Sequence, residues 1–463
     1  MYSAYITTIK ELHKHSNADR LLCTTIFSNN VIVDLSYKEG QRVIFFPVDG
    51  QLSEEYALDN NLVKKYVPVS ELSEDEIAGK QIIKKDGVDV VNVGGYMDDK
   101  KRNITALKLR GEKSEGLVLP IETLSKYVDV STLNDGDMIS VIDGHEICKK
   151  YIPSRNNRRS QGTGKYKVNK KELKEIISYP LFIEHSDTQQ LVFNERAFKE
   201  GDTCYITLKM HGTSQRTANT IQVTKKRRNI ILKKLFKLRD KSTRKYQCIT
   251  GTRRTTLRKY DGGYYGNNEF RIKYHNLLKD KLQKNMEVFY EVVGYTDGDK
   301  TIMGRCSNKL VKDKEFQKQY GNETVFSYGC NVGENDIYVY RMIMTNEDGY
   351  IVELPWEQVQ IEAEKMGVKC VPTFEKFIFT TWEDLMQRVE KYYDGADPIG
   401  KSHIREGVVV RIDNREKFTA YKHKNFSFKV LEGIIKDNSD APDIEEAEEL
   451  ISEDMTEVEI VNE

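Results

Sequence analysis

The sequence predicts a two-part α+β protein: a small antiparallel N-terminal domain followed by a larger domain that mixes strands with helices. Three observations carry this reading. The length, 463 residues, exceeds the roughly 100 to 200 residues of one domain. Short β-rich runs bounded by turn residues fill positions 1–150. Beyond position 174, strands alternate with helical stretches in a pattern that suits an α+β domain.

In order, the N-terminal runs are ITTI, LLCTTIF, NVIVDL, RVIFFPV, ALKLRG, EGLVLPI and DMISVID, punctuated by turns such as Glu39-Gly40 and Asp135-Gly136. They suggest a barrel or sandwich over 1–150. Residues 151–173 lack hydrophobic periodicity and are rich in Ser, Asn, Gly and basic side chains, so they are predicted to be a linker. Residues 174–435 carry the strands CYITLKM, EVFYEVVG, IYVYRMIM, EGVVVRI and TAYKHK, with helices expected over Trp356–Met366 and Trp382–Tyr392. The stretch 436–463 has too much like charge and too few bulky residues to pack alone, which predicts a disordered acidic tail.

Charge is balanced in total, 72 Lys+Arg against 72 Asp+Glu, but segregated along the chain. Lys149 to Lys171 holds nine basic residues and no acid; Lys225 to Lys245 holds eleven against Asp240 alone. Such tracts match the electrostatic footprint of phosphate-backbone binding. Apolar runs such as VIFFPV (43–48) fall far short of the roughly 18 residues of a membrane span, which excludes that class. The start, MYSAYITTIKELHKH, lacks the apolar stretch of a secretory signal. Seven scattered Cys without a C-x-x-C pair fit neither a disulfide framework nor a zinc cage, and predict a cytoplasmic setting.

Four segments carry the chemistry. In TLKMHGTS, Thr207 to Ser214, Lys209 closes an apolar strand just before a His211-Gly212 turn. A lysine nucleophile must shed its proton, and an unperturbed ammonium with a pKa of about 10.4 holds it at neutral pH. Nearby cations or desolvation are therefore expected. FYEVVG sets Glu291 among apolar neighbours, an expensive place for a carboxylate without a ligand. EGVVVR places Glu406 at the mouth of a strand, and AYKHK puts Lys422 and Lys424 on one strand face. Each alone fits an ordinary surface or ion-pair role; together and in this order they point to one site.

This ordered set resembles the covalent nucleotidyltransferase superfamily of ligases and capping enzymes, and more narrowly an ATP-dependent RNA ligase. KMHG matches the nucleophile motif, Thr252-Arg253 the next, FYEVVG the third, IYVYRM the aromatic motif, EGVVVR the fourth and YKHK the fifth. The lead-in FIEHSDTQQL, Phe182 to Leu191, is similar to the run-up in RNA ligases. At the front, LHKHSNADRLL (12–22) and LKLRGEKSEGLVLP (107–120) resemble tRNA-binding OB-type modules, so 1–150 is expected to be an OB-like β-barrel that binds RNA. The order OB domain, then ligase core, is similar to that of a nick-sealing family. The core is then expected to be an adenylyltransferase domain of antiparallel sheets with flanking helices.

The resemblance implies ATP and Mg2+ (or Mn2+) as cofactors and RNA with 3′-OH and 5′-phosphate ends as partner, a nicked duplex among them. It implies Lys209 as the nucleophile that takes up AMP. His211, Gly212, Arg253, Glu291, Lys422 and Lys424 would bind the nucleotide, Tyr340 would stack on adenine with Tyr338 second because alternation puts it on the same strand face, and Glu406 and Glu291 would hold the metal. Lys422 and Lys424, with the metal on Glu406, would ease proton loss from Lys209. Two departures are visible. His211 stands where the superfamily usually has Asp, which argues against a typical DNA ligase, and Leu208 stands where relatives often carry an acid. No OB module follows the fifth motif. The rival readings are a DNA ligase, a GTP-using capping enzyme, or a non-catalytic RNA-binding protein.

Overall fold

The computed structural model describes residues 2–153, 175–226, 241–254, 256–257 and 269–437. Most of the expected linker 151–173, the central part of the Lys225 to Lys245 tract and nearly all of the expected acidic tail lie outside the described residues. The chain divides into two compact units, Met1–Ser154 and Arg155–Glu463. Both are dominated by antiparallel sheets, and no described helix is long and apolar enough to cross a membrane.

The first unit is a set of small sheets. The widest orders its strands Leu117–Pro120, Arg42–Phe46, Ala4–Thr8 and Met138–Ile139, all antiparallel. Alternation in the apolar runs puts Ala4, Ile6, Ile44, Phe46 and Leu119 into one core, which Leu52, Tyr56 and Ile104 complete. A short helix, Glu54–Asp59, interrupts the strands; Ser53 caps it by accepting from the Tyr56 N–H. The strands Leu21–Ile26 and Asn29–Asp34 are joined by Phe27 and Ser28, both at positive φ, a twist-matched tight turn in which the Asn29 amide donates to Ile26 and Phe27 carbonyls. Arg110 (φ 49°) and Gly111 (φ 102°) make a similar turn between Ala106–Leu109 and Glu112–Glu115. His15 and Asn17 tie the stretch 12–22 to this turn: His15 Nε2 lies 3.0 Å from the Leu109 carbonyl, and the Asn17 amide reaches that of Arg110.

The second unit contains two larger sheets. In one, the path runs Glu175–Ser178, Thr213–Lys226, Met286–Asp297, Asn335–Thr345, Ile351–Glu353, with Lys241–Gly251 also pairing with Thr213–Lys226. In the other, it runs Gln189–Gln190, Thr419–Lys424, Gly407–Ile412, Thr203–Lys209, Thr373–Ile378. Helix Trp382–Tyr392 buries Leu385 and Val389 with Cys204, Ile206, Val408 and Val410, all on one side of the second sheet. Helix Trp356–Met366 places Trp356, Val359 and Ala363 in a larger core with Val288, Tyr290 and Val292 of the first sheet. The Arg341 guanidinium stacks on Phe289 from one sheet and on Phe418 beside the other, holding the two together.

Candidate active site

Lys209 ends a strand of one sheet, and after Met210, His211 and Gly212 the chain enters the other sheet at Thr213. That turn admits only glycine at its last position. A Cβ on Gly212 would lie 2.5 Å from the Val292 carbonyl and 2.8 Å from Glu291 Cγ. Register then assembles the site. Lys209 pairs with Gly407, and Gly407 with Lys424, so the two lysines flank a residue with no side chain. One step along the same face, Thr207, Val409 and Lys422 form the next row. Gly407 has φ of 146°, and a Cβ there would meet the His423 carbonyl at 2.1 Å.

Glu406 projects into this arrangement. Its Oε1 lies 2.7 Å from Lys209 Nζ and 3.6 Å from Lys424 Nζ, while Oε2 lies 3.7 Å from His211 Nδ1. Burial alone would raise its pKa, but Lys209, Lys424 and His211 outweigh that and hold it below the ordinary carboxylate range. Lys422 is half-buried and forms no ion pair among the described residues. Burial, then Lys424 and Lys209, push its ammonium down to about 8. Lys424 is buried and carries a second carboxylate, with both Glu432 oxygens 2.7 Å from its Nζ.

The remaining predicted residues surround this centre. The His211 ring is wedged edge-on between Phe326 (4.6 Å) and Phe428 (4.8 Å), and its backbone N–H donates to the Tyr328 hydroxyl at 2.7 Å. Glu291 is buried and accepts from the Ser214 hydroxyl at 3.0 Å. Arg253 pairs with Asp187 at 2.6 Å, and its carbonyl accepts from the His185 N–H. Tyr340 is half-buried, with its hydroxyl 3.3 Å from His185 Nδ1 and the rings edge to face. Burial, then Arg253 and Arg341, lower the His185 pKa to about 3, so the imidazole is neutral. The pairing of Asn335–Thr345 jumps from Val339 to Arg341, leaving Tyr340 as the extra residue of a bulge. The expectation that Tyr338 shares its strand face by simple alternation therefore fails: Tyr338 is buried under Lys369 and lines a separate cavity of about 560 Å3 with Tyr328 and Lys273.

Among the described residues no group of three or more His, Cys, Asp or Glu side chains is placed to hold a metal ion. A single buried carboxylate suffices for a cation that keeps most of its water. Glu406 Oε2 is buried without a hydrogen bond and suits that role. Sequence reasoning passed over Tyr328, Glu432, and the parts played by His185 and Asp187 within the quoted lead-in. Glu432 had a signal: Phe428, Glu432 and Lys436 recur at a spacing of four, one stripe of a helix with two charges in an apolar surround.

A strand-end lysine, converging cations and a buried carboxylate are the arrangement expected of a nucleotidyltransferase. Residues 202–431 match the RNA ligase family, and this segment belongs to it. Among solved structures, a Naegleria gruberi RNA ligase mutant with ATP and Mn superposes with a TM-score of 0.54 at 16% identity, covering 92% of this chain and 98% of that one. The Naegleria gruberi RNA ligase with PPi gives 0.53 at 17%, over 94% and 98%. A further mutant with AMP and Mn gives 0.52 at 17%, over 92% and 97%. At such identity the likeness is one of fold. No curated protein matches the sequence.

Proposed function

We propose that this RNA ligase uses ATP to join RNA 3′-OH and 5′-phosphate ends through lysyl-AMP and an adenylylated RNA 5′ end. The observation that carries the reading is the row Lys209, Gly407, Lys424 with Glu406 beside it. In the first step Lys209 Nζ bonds to the α-phosphorus, the bond to the bridging oxygen breaks, and pyrophosphate leaves. Lys209 reacts as the free amine, and its proton goes to solvent. Lys422 and Lys424, on the same strand face, neutralise the charge on the α-phosphate. That phosphate would sit beside Lys209 within reach of both ammonium groups. Tyr340 would stack on the adenine, and Glu291 and Arg253 would be the groups for the ribose. In the second step an oxygen of the RNA 5′-phosphate displaces Lys209 from the AMP phosphorus. In the third, a 3′-OH attacks the RNA phosphorus and AMP departs.

Mg2+ or Mn2+ would be held by Glu406, with Glu291 second, and would supply further charge neutralisation at the phosphates. The first unit is read as an OB-like barrel over 1–150 that holds RNA, a reading supported by the way His15 and Asn17 join the two segments that carry the resemblance. Seven cysteines without a disulfide support a cytoplasmic setting.

The test is a nicked RNA duplex with a 5′-phosphate at the break, incubated with protein, ATP and Mg2+. A sealed strand, AMP and a transient adenylylated 5′ end are expected. Label that stays on protein and never reaches RNA would overturn the reading, and labelling by GTP alone would point to a capping enzyme.

A further inference from the structure

The nucleotide-site lysine Lys424 is held from outside the sheet that bears it. The chain turns directly from that strand into helix Phe426–Asp437, and Asn425 fixes the turn: its Oδ1 accepts from the Phe428 N–H while its amide donates to Asp394 and the Tyr393 carbonyl. Leu431 and Ile435 anchor the helix in the core. The neighbouring stripe of Phe428, Glu432 and Lys436 is buried as well, at 0%, 9% and 3% exposure. Phe428 touches the His211 ring, Glu432 grips Lys424 with both oxygens, and Lys436 lies 3.9 Å from Glu432. The result is a chain of alternating charge, Lys209, Glu406, Lys424, Glu432, Lys436, that runs from the nucleophile into the helix.

We infer that Glu432 is a positioning residue of the ligase, holding the Lys424 ammonium over the α-phosphate position. This rests on the reading of Lys209 and Lys424 given above. The physical need follows from the geometry. Lys424 shares its strand face with Lys422 and a row with Lys209, so repulsion would drive its four-carbon arm away from the site. Glu406 is shared with Lys209 and lies 3.6 Å from Lys424, too far to be a hydrogen-bonded partner. Glu432, bidentate at 2.7 Å, supplies the missing restraint, and Lys436 behind it balances its charge. When a phosphate enters beside Lys209, Lys424 can add it as a partner without leaving Glu432, since an ammonium has three donors.

The experiment measures lysyl-AMP formation from α-labelled ATP in the full chain, for wild type, Glu432→Gln, Lys424→Met and the double variant. Glu432→Gln is expected to slow labelling at saturating ATP by about tenfold or more while the KM for ATP stays within about threefold, because the contact matters most where charge develops. In the Lys424→Met background, removing the Glu432 charge should bring no further loss. An unchanged rate in Glu432→Gln, or losses that simply multiply in the double variant, would overturn the inference. If Glu432→Gln does not melt cooperatively, Lys424→Met is compared with Lys424→Met/Glu432→Met, which removes the buried pair whole. Equal labelling is expected, and a further loss contradicts it. Wild type that takes up no label would instead sink the reading of Lys209, leaving the two failures distinct.

Discussion

At the scale of single residues, the site sets like charges close together and balances them incompletely. Lys209 is the group whose loss should be total. Lys209→Ala and Lys209→Arg are both expected to abolish lysyl-AMP while still folding and melting cooperatively, since a guanidinium stays protonated and cannot attack. Lys422 bears the cost of the arrangement. Its folded pKa, about 8, is below the roughly 10.4 of an unfolded lysine, so between these values the unfolded chain binds the extra proton. The stability this group contributes is therefore fully present above about pH 10.4 and is lost as pH falls through about 8. Lys422→Met should stabilise the fold at pH 7 by on the order of 2 kcal/mol, allowing for its partial exposure, and the gain should shrink toward pH 10. Urea melts at both pH values check this; an equal difference at both would contradict it. The same variant should label poorly, a trade of activity for stability.

At the scale of elements, the site depends on register and on two glycines. Gly407 sits at positive φ with the His423 carbonyl where a Cβ would be, so Gly407→Ala should cost about 2 kcal/mol or more in thermal or urea melts and displace the Lys209 and Lys424 rows. A variant that melts and labels like wild type would refute that placement. The strands that carry Lys209, Glu291, Glu406, Lys422 and Lys424 were legible because β-branched and aromatic runs with clear ends specify strands, and period-two alternation correctly put Lys422 and Lys424 on one face. Helices Trp356–Met366 and Trp382–Tyr392 were legible by their apolar spacing. Alternation misled at Tyr338 and Tyr340, because a bulge leaves no mark in a single sequence. Glu432 was missed for another reason: LEGIIKD reads as an ordinary amphipathic end, and only folding the helix back onto Lys424 gives its charge a partner. The expected acidic tail from 436 also begins too early, since the helix continues through Asp437 and buries Lys436.

At the scale of the whole molecule, the function proposed above divides the labour between the two units. The groups for ATP chemistry lie within the second, so a chain starting at about residue 172 should keep lysine adenylylation better than RNA joining; equal loss of both would mean the first unit serves the ATP site or the fold. In the described part of the basic tract, Lys226 faces Lys241 across the strand pair, which concentrates positive charge there. Neutralising Lys225, Lys226, Arg227 and Arg228 should flatten the salt dependence of RNA binding by up to about 0.7 to 0.9 log units per lost contact, with adenylylation barely changed. An unchanged salt slope with slower adenylylation would assign the tract to ATP or the fold. Segregated charge and motif order in the sequence suggest this division, while the pairing of small sheets in the first unit depends on contacts distant in sequence, such as Tyr5 with Phe45 and Ala4 with Ile139.

The central claim is that Lys209 itself carries the nucleotide, and peptide mapping after brief incubation with ATP and Mg2+ tests it most directly. The account predicts one acid-stable AMP adduct, on the peptide that contains Lys209, absent from Lys209→Ala and passed to a 5′-phosphate RNA when one is added. An adduct on any other residue, or sealing of RNA with ATP by Lys209→Ala, would contradict it.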